Sequence, residues 1–196
     1  TLIASFPGAA AVLLSSFEVW DALIAVLAAG RLAADDRLHG DPGDPLARKH
    51  LEGCDAVIAA IAHVIKAASP SDRSWSTPSL IDRLDPYAAA LVLVNLDLET
   101  EQLVDGAISV LERWHDPPTD FWTWMNGHLG GDNTADILFR ALAANPLAAT
   151  QFLSTAREQP GIVLLGANDP GSLDELITVG LDPERLSPEQ VGAIAF

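Results

Sequence analysis

Glu112 and His115 stand three residues apart, the E-x-x-H spacing that places a carboxylate and an imidazole on one face of a helix. Di-iron bundles build half of their site on that spacing, but they need a second copy and two further glutamates from facing helices. This chain has no second copy. His50 and Cys54, at i and i+4, face the same way on a helix, yet no other nearby Cys or His completes a four-ligand set. The spacing therefore assigns no metal ligands and implies no cofactor.

Nucleophilic catalysis finds no better footing. The five histidines, His39, His50, His63, His115 and His128, are not accompanied by a G-x-S-x-G elbow or another local signature of an activated serine. Asp35-Asp36 and Asp97, Glu99, Glu101 supply paired carboxylates, but no calcium-loop pattern contains them. His128 is the most site-like histidine. It lies beside Gly127, Gly130, Gly131 and Asp132, and a glycine-rich turn before a helix can present backbone N–H groups to an anion. A plain helix connection capped by Asp132 or Asn133 is the simpler reading. Trp114, Phe121, Trp122, Trp124 and Met125 crowd into twelve residues. Such a cluster belongs mostly to a core, but neighbours one or two apart point to different faces. Trp122, Trp124 and His128 are accordingly the candidate interaction surface, and the chain is read as a non-enzyme.

Composition narrows the partners. The formal net charge is −16, from 27 acidic and only 11 basic residues, and Lys49 and Lys66 are the only lysines. No basic stripe exists to neutralise phosphates, so nucleic acid is excluded as a partner. Charged residues are 19% of the chain against about 25% in an average soluble protein, while 49% are apolar. That surplus calls for a large core or for a protein that covers it. The one cysteine, Cys54, reads as a small buried hydrophobe. Glu18 and Asp21 interrupt the uncharged start before it reaches the roughly 20 residues of a membrane span, so no transmembrane segment is expected. No basic region precedes that run, so it does not read as a signal peptide. The first residue is Thr, and the last six form an uncapped apolar stretch, which reads as a piece of a longer protein.

The elements that must position these residues are helices. Seven times a capping side chain precedes proline, whose fixed φ and missing N–H suit the first helical position: Asp44-Pro45, Thr77-Pro78, Asp85-Pro86, Asn145-Pro146, Asp169-Pro170, Asp182-Pro183 and Ser187-Pro188. The expected fold is all-α, a multi-helix orthogonal or antiparallel bundle of about eight to ten helices. Only Ile162 to Leu165 competes as a strand, and it reads as a short helix because a lone strand would leave its backbone groups unpaired. A first helix from about Gly8 to His39 carries Leu13, Phe17, Trp20, Ile24 and Leu27 at helical steps, with Val12, Val19, Leu23 and Val26 beside them. It reads as a central helix that leaves water only a narrow stripe around Glu18 and Asp21, with a candidate break at Gly30. A second helix, from Pro45 to about Ala68, is its antiparallel neighbour. The expected core includes Trp20, Ile24, Ile58, Ile61, Leu91, Leu111 and Phe139. Residues 1–196 are read as one helical domain. Ser69 to Ser79, rich in Ser and Pro and docked by Trp75, is the candidate subdomain boundary.

From Leu84 onwards a family pattern joins these signals: an apolar helix after Asp85-Pro86, then Glu112-Arg113-Trp114, NTADILFRALAANPLAATQFL over 133–153, and GSLDELI over 171–177. This resembles an actinobacterial helical domain of unknown function found in large type VII secretion-associated, polymorphic-toxin-like proteins. The resemblance implies a non-catalytic segment beside an effector part, with secretion as the implied localisation. The W-x-G turn and the Y-x-x-x-[DE] export signal of such substrates are absent. The leading expectation is a structural or interaction module whose partner is protein, either another part of the same chain or a separate one. A small-molecule or lipid-binding helical bundle and an enzyme with a dispersed site are the alternatives.

Overall fold

A computed structural model describes residues 17–67, 77–115, 133–156 and 169–182. Those residues form eight helices, are 86% helical and include no strand, so the all-α expectation holds. In chain order the helices are α1 (Phe17–Gly40), α2 (Pro45–Ala67), α3 (Thr77–Arg83), α4 (Pro86–Val94), α5 (Thr100–His115), α6 (Thr134–Ala143), α7 (Pro146–Ala156) and α8 (Pro170–Gly180). The chain divides between Leu96 and Asp97 into two compact units. Ser69 to Ser79, the stretch expected as a boundary, falls within the first unit and lies mostly outside the described residues.

The capped proline starts explain where helices begin. Asp44 Oδ1 accepts from the N–H groups of Leu46 and Ala47, Asp85 Oδ1 from those of Tyr87 and Ala88, Asn145 Oδ1 from that of Ala148, and Asp169 Oδ1 from that of Gly171. Each bond satisfies a donor that the first helical turn cannot pair internally. Helix α3 begins at Thr77. The Asp182-Pro183 and Ser187-Pro188 starts, and the segment Ile162 to Leu165, fall wholly or mainly outside the described residues.

In the first unit α1 and α2 pack as a hairpin through the turn at Asp41–Asp44, and α4 packs on both. Helix α4 is buried continuously from Pro86 to Leu93, which suits a helix with no charged residue. The helix expected to be central is not. Helix α1 buries Trp20, Ile24, Ala28, Leu32 and Ala34, but exposes Val19, Leu23 and Val26. The sequence pattern could not separate the two faces because both are apolar, and α4 and α2 are the neighbours that select one. Nor does α1 break at Gly30, since its helix is continuous to Gly40. The glycine instead makes room for α2: a Cβ there would stand 3.3 Å from His50 Nε2 and 3.5 Å from Cys54 Sγ.

In the second unit α6 is buried from Thr134 to Phe139 and carries contacts to α5, α7 and α8. Asn133 and Asp136 form a capping box: Asn133 Oδ1 accepts from the Asp136 N–H, and Asp136 Oδ2 from the Asn133 N–H. Helix α8 buries only Ser172, Leu176 and Gly180, one residue per turn. Gly180 allows its close approach to α7, because a Cβ there would stand 2.7 Å from Leu153 Cδ1 and 3.0 Å from the Ala149 carbonyl carbon. The Thr150 hydroxyl, bonded to the Gly180 carbonyl at 3.0 Å, closes that contact. All seven expected core residues are buried.

Candidate interaction surface

Trp122, Trp124 and His128 lie outside the described residues, as do the other members of the aromatic cluster except Trp114, which is buried. Glu112 is exposed, and the side chain of His115 also lies outside the described set. His50 and Cys54 do converge, over Gly30. Burial pushes the Cys54 thiol up from its ordinary range, Asp55 adds to the shift and Arg31 opposes it, so the group stays a thiol at neutral pH. Among the described residues no three His, Cys, Asp or Glu side chains gather as metal ligands.

The polar arrangement that orients the first unit is built on Arg31. Its Nε donates to Asp55 Oδ1 at 2.7 Å and its Nη1 to the Tyr87 hydroxyl at 2.6 Å, so α1, α2 and α4 are tied through one guanidinium. The guanidinium carbon also stands 6.0 Å from the centre of the Tyr87 ring. Burial works against the charge, but Tyr87 and Asp55 outweigh it and raise the Arg31 pKa further. This is a structural tie: Tyr87 is fully buried and a substrate has no open approach to it.

Arg31 and Gly30 together define the two sides of the hairpin. Arg31 and Asp55 point towards α4, whereas Gly30 marks the seam with α2. With about 100° between successive residues, Val19, Leu23 and Val26 lie on the Gly30 side of α1, roughly 80–140° from Arg31. On α2, Leu46 and Val57 lie roughly opposite Asp55. Because the two helices run antiparallel, these positions share the side of the hairpin that faces away from α4. The described residues include seven exposed large hydrophobic side chains, and five of them are Val19, Leu23, Val26, Leu46 and Val57, with Val26 69% and Leu46 71% exposed. Gly53 and Ala60 of α2 and Ala22 and Ala33 of α1 are exposed between and beside them. The result is an open, mainly apolar two-helix face that also carries His50 and, towards the turn, the Arg37–Asp44 pair. The apolar surplus in the composition pointed to a surface of this kind, but its position needed to be known from α4.

No described helix is long and apolar enough to cross a membrane. Comparison with protein-family models, curated proteins and solved structures finds no match.

Proposed function

We propose that the chain is a non-catalytic interaction module that binds protein through the open side of the α1–α2 hairpin. The observation that carries this reading is the grouping of five exposed large apolar side chains on one side of two packed helices. Scattered exposed hydrophobics are ordinary, whereas a contiguous patch in water favours a partner that covers it. The face is mainly apolar, with His50 exposed on it between Leu46 and Val57, and the Arg31 group behind it is engaged in holding the helices together. In this reading the module belongs to a larger protein of the secreted, toxin-like kind that the pattern of 84–177 resembles.

The reading is tested by the double substitution Leu23→Glu, Val26→Glu. A docking face free of the chain's own core accepts both carboxylates in water, and the melting temperature stays within a few degrees of the parent. A collapse of the melting temperature would show that the chain buries this face itself and would end the proposal.

A further inference from the structure

We propose that the partner covering the α1–α2 face is a second copy of the chain, an inference that rests on the docking reading above. The two hairpins pack face to face about a two-fold axis parallel to their helices. That operation places α1 of each copy over α2 of the other, antiparallel, and produces a four-helix bundle in which every helix is antiparallel to its neighbours. The small residues on the face, Ala22, Ala33, Gly53 and Ala60, let the facing helices approach closely, with Leu23 and Val57 as the larger side chains between them.

Charge favours this arrangement over an unrelated partner. Arg37, paired with Asp44, and the exposed His50 lie on the face, and the exposed charged side chains nearest its two outer edges differ in sign. Asp36 stands exposed at the edge of α1, Lys49 stands exposed at the edge of α2, and neither has an ion-pair partner among the described residues. Gly30 lies level with His50 and Cys54, so the antiparallel register puts Asp36 level with about residue 46 of α2. Lys49 is about 4.5 Å further along the axis, within reach of its long side chain. The two-fold axis therefore sets Asp36 of one copy beside Lys49 of the other, twice per dimer. A partner whose edges bore one sign would satisfy only one of the two. The footprint, about 20 Å by 20 Å, is roughly half of what a standard interface buries on each side, so the dimer is weak and reversible.

The test is the mass of the full chain in solution, by sedimentation or light scattering, over a wide concentration range. The mass is expected to rise with concentration from the 20.7 kDa of one chain towards twice that value. Leu23→Glu, Val26→Glu should hold it at one chain, and Leu147→Glu, at an exposed apolar position of the second unit, should leave dimerisation unchanged. Asp36→Lys should weaken the dimer several-fold, and adding Lys49→Glu to it should restore the parent affinity. A chain that stays monomeric throughout, while the double glutamate variant melts like the parent, overturns the second copy and leaves the docking reading standing. A glutamate variant that loses its fold overturns both. A dimer indifferent to Leu23→Glu, Val26→Glu, or an Asp36→Lys variant that Lys49→Glu does not rescue, overturns the proposed packing.

Discussion

The Asp136 carboxylate of α6 accepts a hydrogen bond of 2.8 Å from the hydroxyl of Ser172, 36 residues further along the chain on α8. The same Oδ1 also accepts from the Asp169 N–H, while Oδ2 closes the capping box on Asn133. A fully buried carboxylate thus joins the starts of two helices. The Ser172 hydroxyl and the N–H groups of Asp169 and Asn133 are among the donors that offset its desolvation.

Replacing Asp136 by Ala should therefore cost about 3–5 kcal/mol, because it leaves those donors without an acceptor. Ser172→Ala removes a single bond to a charged group and should cost about 1.5–3 kcal/mol. Urea unfolding measures both. Equal losses would show that the carboxylate does not act as the shared acceptor.

The two close-packed glycines should respond with opposite signs. Gly180→Ala drives a Cβ against the Ala149 backbone, which cannot rotate away, and should destabilise by about 1–3 kcal/mol. At Gly30 the nearest atom is the end of the exposed His50 side chain, which can move aside. Gly30→Ala then gains helix propensity and should stabilise by about 0.5 kcal/mol. Thermal unfolding of the two variants settles the order.

Burial should decide the cost of truncating the α1–α2 pair. Ile61 is buried and Val26 is exposed. Ile61→Ala is expected to lose about 2–5 kcal/mol, and Val26→Ala less than about 0.5 kcal/mol. Comparable losses at the two positions in chemical denaturation would place Val26 in a core.

Two carboxylates, the half-buried Asp44 and the exposed Asp169, contribute an acid-sensitive part of the stability. The Asp44 carboxyl is held below its ordinary value of 3.8 by the N–H of Ala47, then by Leu46 and Arg37. Asp169 is held below 3.8 by Arg140 and the Gly171 N–H. A carboxyl with a depressed folded-state pKa binds its proton more readily in the unfolded chain. Its stabilisation is complete above the unfolded value and disappears as pH falls from there through the folded value. The melting temperature should thus fall as pH drops below about 4. Asp44→Asn and Asp169→Asn should each shallow that slope, and salt should do the same by screening the Arg37 and Arg140 pairs. A slope unchanged in both variants would remove these caps from the acid response.

Arg31→Leu should destabilise by about 2–4 kcal/mol, since it takes the guanidinium from the buried Tyr87 hydroxyl and from Asp55. Arg31→Lys should recover only part of the loss, because one ammonium on an unbranched stem does not reproduce the two-way fork. Full recovery with lysine, read from denaturant midpoints, would reduce the tie to simple charge.

The sequence by itself determined where helices start and what kind of fold they build. Asp44-Pro45, Asp85-Pro86, Asn145-Pro146 and Asp169-Pro170 act within three residues of themselves, through side-chain acceptors and a fixed φ, so local chemistry suffices. Ile58 and Ile61 were legible as core because Arg48, Lys49 and Glu52 mark the wet face of α2. Helix α1 lacked a reliable marker. Between Val19 and Ala34 its only charged residues are Asp21 and Arg31, both half-buried, and only the packing of α2 and α4 decides that Trp20 is inside and Val26 outside. The Arg31–Tyr87 and Asp136–Ser172 bonds were equally hidden, since they join residues 56 and 36 positions apart and leave no periodic trace. The composition announced an apolar surplus, but composition is a sum over the chain. Its concentration on one side of a hairpin is a matter of direction, and tertiary structure alone supplies direction.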